Sequence, residues 1–509
     1  MKNTYYITTP IYYVNDIPHI GHAYTSIASD VIARFMRLSG KEVIFLTGTD
    51  EHGQKVEKSA VAKSLDPQKF TDIVSESFRK LMDSLNISND DFIRTTEDRH
   101  KQAVITLWQK LLDSGNIYLG AYKGWYSIRD EAFYNESELT KDGLAPTGAP
   151  VEWVEEPSYF FALSKWQDKL LDFYTKNPDF IKPATRLNEV VSFVKSGLHD
   201  LSISRCSFKW GIKVPQDEKH IIYVWLDALT NYISALGYPN DISKFWPADL
   251  HVVGKDILRF HAVYWPAFLM AAEMELPKCI MAHGWWTVDG EKISKSVGNV
   301  IDPFQLIDEF GLDQVRYYLM REVIFGSDGN YSRNGLINKI NSDLSNKIGN
   351  LLQRTLVFIY RNYDAKIPLI DQETITKIYA LPLIKMAERF AVENIALMNV
   401  CEINKVLNNI MTLTEEANIY IDREAPWKLI KTDPIKASEV LYELLEALRY
   451  IAIMLQPFIP SSANKMLDQM GVANNQREFK HLIKRFSLVP NVSINQPEPI
   501  FPKFQDNNE

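Results

Sequence analysis

A chain of 509 residues, 46% hydrophobic and 24% charged, is too long for a single core and too apolar for a disordered polymer, so it reads as a multidomain globular protein of about three or four units. Its formal net charge of -8 at pH 7 excludes a generally basic nucleic-acid binder, and any RNA contact must use a local positive surface. The N-terminal residues run straight into strand-like sequence with neither a signal-peptide core nor an Arg-rich transit pattern, which implies the cytoplasm.

In chain order, Tyr5 to Thr9 predicts a strand, and Val43 to Thr47 predicts the next. Between them His22 to Leu38 carries Ile27, Val31, Phe35 and Leu38 on nearly one helix face, ending before Gly40. Strand, glycine-containing turn, helix and strand make a βαβ unit, whose ligands bind at the carboxyl ends of its strands. The stretch Pro18-His19-Ile20-Gly21-His22 falls at that edge. Gly21 lets a nucleotide approach the backbone, and His19 and His22 can donate hydrogen bonds to phosphate oxygens beside a helix N-terminus. A His-x-x-His pair is also half of a zinc site, but no further ligand cluster follows nearby. A nucleotide-binding Rossmann-like half thus spans residues 1–115, with a second amphipathic helix bearing Val74, Phe78, Leu81, Met82 and Leu85.

Residues 116–215 break the alternation and read as an insertion. The Rossmann pattern resumes over 216–300: a strand-like run Ile221 to Trp225, a helix opened by Leu226 to Leu229 and containing Tyr232, and a strand Leu250 to Val253. The turn Gly254-Lys255-Asp256-Ile257 follows, then a helix with Phe260, His261 and Trp265 and a strand near Cys279 to Ala282. Next comes Lys292-Ile293-Ser294-Lys295-Ser296, flanked by Gly290 and Gly298 as hinges for a loop that closes on ATP. A lysine-serine loop by itself is a solvated turn. Paired with the first motif, it supplies charge for a departing pyrophosphate.

Beyond Asp302-Pro303 the pattern is helical, with a linker over 301–345 and an α-helical bundle over 346–509. The run Asn334 to Tyr363 has an apolar face of Ile337, Ile340, Leu344, Ile348 and Leu351, and a basic stripe of Lys339, Lys347, Arg354 and Arg361. That stripe suits an RNA backbone, or is simply a solvated basic face. Val440 to Leu455, interrupted by Glu443, Glu446 and Arg449, reads as an amphipathic helix and not as a membrane span. Cys206, Cys279 and Cys401 are too scattered for a disulfide framework or a metal knuckle and read as buried reduced thiols.

The two motifs, HIGH and KISKS here, resemble the HIGH and KMSKS signatures of class I aminoacyl-tRNA synthetases, and the resemblance to the methionyl-tRNA synthetase family runs from about Thr4 to about Pro460. It implies a split Rossmann catalytic domain followed by an anticodon-binding bundle. His19, Gly21, His22, Lys292 and Lys295 are then catalytic, and Gly254, Asp256 and Ser294 join His19, His22, Lys292 and Lys295 in holding ATP. The family's methionine contacts match Ile11, Tyr13, Asp50, Trp225, Ala228, Leu229, Tyr232, Ile257 and His261. Asp50 is suited to the substrate ammonium, the others to a thioether, with His261 or Tyr13 as weak donors to sulfur. Anticodon contacts match Asn350, Arg354 and Trp427.

Partners implied are ATP with Mg2+, L-methionine and tRNA(Met) including the initiator, with no membrane and a monomeric state. The insertion departs from the family pattern: where cysteine knuckles would hold zinc it has Ser127 with Asp130 and Ala145 with Gly148, so no zinc is expected. Synthetases for valine, isoleucine or leucine would carry a larger editing insertion, a cysteine enzyme would need a zinc thiolate, and a small HxGH nucleotidyltransferase would not need the helical half. A non-catalytic RNA-binding relative is the rival from another class.

Overall fold

The structure, a computed structural model, describes residues 3–14, 17–130, 132–134, 136–288, 290–292 and 300–505, with only the backbone described at 122, 132, 133, 291 and 292. A parallel sheet of seven strands organises the first 290 residues: β1 (Thr4–Thr8), β2 (Tyr12–Tyr13), β3 (Glu42–Asp50), β4 (Asp91–Arg94), β5 (Ile181–Lys182), β6 (Leu250–Gly254) and β7 (Ile280–His283). β1 lies between β3 and β6, and β7 and then β5 follow β6 outward. Thr49 of β3 pairs with Tyr12 on one side and with Arg94 on the other, so β2 continues β1 beyond Pro10 and β4 closes the opposite edge. Ile7, Phe45, Leu46, Val252, Val253 and Ala282 are wholly buried, as a parallel sheet covered on both faces requires.

The chain runs outward from β1 through β3 to β4 and later returns on the other side of β1 as β6. The crevice at the carboxyl ends of β1 and β6 is therefore the point where strand order reverses, the place such sheets bind ligands. Helix α1 (Ile20–Leu38) makes the first crossover and α2 (Asp98–Asp113) follows β4.

Between α2 and β6 the long antiparallel pair Ile117–Ser127 and Glu152–Phe161 builds a separate small sheet with Ala132–Tyr134 and Leu201–Ser202. The segment between its last two strands returns to the main body, where Ile181 of β5 pairs with Ile280 and Leu170, Tyr174 and Val190 share a core with Val253 and Phe268. The run Ile221 to Trp225 is corrected by the structure. Its strand, Asp217–Ile222, pairs antiparallel with Ser204–Arg205 and Lys213–Val214 outside the parallel sheet, and Trp225 lies in helix α3 (Val224–Leu229). The extended Tyr223 that caps α3 ends the strand.

The remainder is helical. α4 (Leu312–Glu322) packs on α1, and Arg316 binds Asp30 at 2.7 Å with neither side chain exposed. The predicted Asn334 to Tyr363 run is helical as far as Asn362, winding in wider turns over Ile340–Gly349 before α5 (Asn350–Asn362). The last long helix, α6 (Pro434–Leu455), is buried on every side from Val440 to Leu455, which corrects the amphipathic reading. Its charges turn inward: Glu446 binds Arg449 at 2.8 Å and accepts from Tyr379 at 2.6 Å, and Glu443 accepts from Tyr420 at 2.6 Å. Cys401 is buried, but Cys206 is exposed. The C-terminal segment folds back over the helices, with Phe479 against Phe35 and Asn341 bonded twice to Phe504, at 3.1 and 2.9 Å. Among the described residues no helix is long and apolar enough to cross a membrane.

Candidate functional site

α1 begins inside the first motif. His19 is its N-cap and accepts from the Gly21 N-H at 3.1 Å through Nδ1, while His22 Nδ1 accepts from the His19 N-H at 3.1 Å. This reciprocal cap fixes both tautomers. With Nδ1 an acceptor, the neutral ring carries its proton on Nε2, and each imidazole keeps one donor for a ligand at the helix N-terminus. Burial pushes both below the usual histidine range, His22 further than His19, and the rings lie 3.9 Å apart. A Cβ on Gly21 would stand 2.9 Å from His19 Cε1, so any side chain there would displace the cap.

Beside it the structure brings the sequence-derived pocket residues together. Tyr13 and Asp50 are partners in the β2–β3 register, and Ile11, Tyr13, Trp225, Leu229, Tyr232 and Ile257 pack in one cluster. His261, in the wide turn Phe260–Tyr264, contributes Nδ1 at 2.9 Å from the Ile257 carbonyl, and its Nε2 lies 2.7 Å from the Tyr232 hydroxyl. Burial holds His261 at about 4, so the ring is neutral, donates to Ile257 and accepts from Tyr232. With both nitrogens engaged it has no proton left for a thioether. Trp225 stacks on Phe260 at 3.6 Å, its indole N-H buried without a hydrogen-bond partner among the described residues, and Ala228 is buried on the same helix.

Across the crevice Gly254 ends β6. A Cβ there would meet Asp256 Oδ1 at 2.6 Å, and that oxygen accepts from Trp285 Nε1 at 3.0 Å. The second motif begins where Lys292 pairs in backbone register with Thr287, while Ser294 and Lys295 lie outside the described residues. The Ile20 N-H donates to the Ile301 carbonyl at 3.2 Å, so the chain leaving that motif returns to the start of α1. A cavity of 660 Å3 opens beside Asp256, lined also by Arg205, Tyr223, Lys255, Arg259 and Phe260. In the insertion Asp130 accepts from Thr147 and, at 3.1 Å, from Tyr134, joining the two turns that hold Ser127 and Gly148. Among the described residues no group of three His, Cys, Asp or Glu side chains could hold a metal ion.

In the helical half Arg354 lies 5.2 Å from the ring centre of Trp427, which is 38% exposed at the start of helix Pro426–Thr432, and Asn350 is exposed one turn before Arg354. The basic stripe is largely neutralised: Lys339 faces Glu322 at 3.8 Å, Lys347 binds Glu415 at 2.6 Å and Arg354 binds Asp422 at 2.5 Å. Only Arg361 on that stripe is exposed. Sequence reasoning missed a buried group, His52, His100 and Asp227, next to the pocket. Their separations of 127 and 175 residues leave no local pattern to find.

Known proteins share this sequence and fold. Residues 5–149 and 143–356 fit the model of class I tRNA synthetases (M), and residues 382–509 fit the anticodon binding domain of methionyl tRNA ligase. The chain is 73% identical over 508 residues to a methionine–tRNA ligase of Rickettsia felis, covering 99% of each, and 51% identical over 518 residues to one of Rhizobium meliloti, again covering 99% of each. Its fold is similar to Mycobacterium tuberculosis methionyl-tRNA synthetase in complex with methionyl-adenylate, with a TM-score of 0.94 at 46% identity over 99% of this chain and 100% of that one. The apo form of that enzyme superposes with a TM-score of 0.87 at 43% identity, covering 99% of each chain. Matched from end to end in sequence and in fold, the chain belongs to the methionyl-tRNA ligase family of class I tRNA synthetases.

Proposed function

We propose that this chain activates methionine with ATP and transfers it to the 3′-terminal adenosine of tRNA(Met), for initiation and for elongation. The observation that carries the reading is the reciprocal His19–His22 cap, two neutral imidazoles with their free N-H on Nε2 at the crevice beside Asp50, Trp225 and Tyr232. In the first step a methionine carboxylate oxygen attacks the α-phosphorus of Mg-ATP in line. The new O–P bond forms as the bond to the bridging β-phosphate oxygen breaks, and pyrophosphate leaves. No protein nucleophile takes part. His19 and His22 meet charge growing on the phosphate oxygens, Gly254 and Asp256 sit by the ribose, and Lys292, Ser294 and Lys295 attend the leaving group. Asp50 pairs the ammonium, and Ile11, Tyr13, Trp225, Ala228, Leu229, Tyr232, Ile257 and His261 wall the side chain.

In the second step the terminal 2′-hydroxyl attacks the acyl carbonyl and AMP leaves. Asn350, Arg354 and Trp427 read the anticodon. We take residues 1–115 and 216–300 as the catalytic halves, 116–215 as the connective peptide, 301–345 as the linker and 346–509 as the anticodon domain. The chain acts as a cytoplasmic monomer with magnesium arriving on its nucleotide, and metal analysis should return no stoichiometric zinc. Charging of a tRNA(Met) transcript with labelled methionine tests the reading. The reading requires plateau charging that an altered CAU anticodon abolishes, and charging indifferent to the anticodon would refute it.

A further inference from the structure

Asp50 is followed by two residues whose side chains both sink into buried ionic networks. Glu51 accepts from Arg94 through both oxygens, at 2.6 and 2.9 Å, and from Thr49 at 2.7 Å and Thr96 at 2.5 Å. Next in the chain, His52 Nδ1 lies 2.7 Å from Asp227 Oδ2, and His100 Nε2 lies 2.7 Å from Asp227 Oδ1. The second nitrogen of His100 is 2.9 Å from Ser234 Oγ. All three members of this bridge are buried. Trp210 closes it from the insertion side, its indole N-H donating to the Glu51 carbonyl at 2.5 Å and its ring meeting His52 edge-on at 5.5 Å.

What the bridge joins is informative. His52 belongs to the loop that leaves β3 after Asp50, and His100 to the first turn of α2. Asp227 sits on α3 with Trp225, Ala228 and Leu229, and Ser234 on the short helix that carries Tyr232. Burial, the largest influence on Asp227, would raise its pKa, yet the two imidazoles outweigh it and hold the carboxyl at about 2. A carboxylate this deep is costly, and apolar side chains would fill the same space without that cost. They would not fix direction, whereas hydrogen bonds through defined ring nitrogens do.

We propose that Asp227, His52 and His100 are positioning residues for the amino-acid pocket: their hydrogen-bonded bridge holds the Asp50 loop in register with the helices carrying Trp225 and Tyr232, and so sets methionine affinity and side-chain selectivity. This rests on Asp50 and Trp225 being the methionine contacts.

The test is methionine-dependent pyrophosphate exchange on Asp227→Asn, His100→Leu and His100→Gln, with active sites titrated by the adenylate burst. Glutamine sets an amide N-H where Nε2 stands and is the conservative rescue. Asp227→Asn and His100→Leu should raise KM for methionine about 10- to 100-fold, leave KM for ATP within about twofold and weaken preference over norleucine, with His100→Gln near the native values. Loss confined to the titratable fraction, parallel rises in both KM values, or no rescue would overturn the role. Should Asp227→Asn fail to fold, the His100 pair decides alone. If the native protein shows no methionine-dependent exchange, the pocket reading itself fails and the bridge's role goes with it.

Discussion

Trp427 offers the sharpest separation of the two activities. Its ring is 38% exposed, Arg354 lies 5.2 Å from its centre, and Asp422 fixes that guanidinium at 2.5 Å, so a base can stack on an already positioned aromatic. Stacking on such a ring is worth about 1–3 kcal/mol per base, which corresponds to roughly 5- to 150-fold. Trp427→Ala should therefore lower kcat/KM for charging tRNA(Met) by about that factor, while pyrophosphate exchange without tRNA stays within about twofold. Trp427→Phe, which keeps a stacking face, should recover much of the loss. Steady-state charging and exchange measured on the same preparations give both numbers. Equal losses in the two assays, or undiminished charging by the alanine variant, would refute the stacking role.

Other consequences follow from buried charge. Asp50→Asn removes the carboxylate proposed to face the ammonium, and the loss of a charged hydrogen bond, about 1.5–3 kcal/mol, should raise KM for methionine roughly 10- to 150-fold in pyrophosphate exchange with ATP affinity kept. Arg316 holds Asp30 and donates to the carbonyls of Leu85, Pro457 and Phe458, joining α1 to the helical half. Arg316→Met should cost about 3–5 kcal/mol and lower the thermal midpoint by several degrees, and an unchanged melt would refute the strut.

Burial raises Glu443 from 4.5 to about 7. The folded protein then binds more protons than the unfolded one across that window, so stability is full below it and falls as pH rises through it. Relative to the native protein, Glu443→Gln should gain up to about 3 kcal/mol between pH 5 and 8, seen as diverging thermal midpoints. Parallel curves would contradict this.

What the sequence disclosed follows from how local each signal is. The β1–α1–β3 unit and the cap in its turn are written in consecutive residues, and the parallel strands Leu250–Gly254 and Ile280–His283 fall where apolar runs end at glycine or histidine. β5 was hidden because it is two residues long, and the start of α3 because Ile221 to Trp225 has strand composition. Glu443, Glu446 and Arg449 suggested a wet face. They find partners in Tyr420 and Tyr379, and in one another, across helices that no periodicity connects. The positive stripe lost its charge for the same reason, since Glu322, Glu415 and Asp422 come from elsewhere in the chain. In the pocket the residue types were legible and the hydrogen-bond directions were not. His261 proved to be an acceptor of the Tyr232 proton, a fact that only its contact with Ile257 reveals.

The most direct measurement is exchange of labelled pyrophosphate into ATP, run with each of the twenty amino acids in turn and with no tRNA present. The account predicts rapid exchange with methionine alone, lost in His19→Ala and His22→Ala. Exchange driven by another amino acid would contradict the pocket, and none at all from folded protein supplied with Mg-ATP would contradict the chemistry.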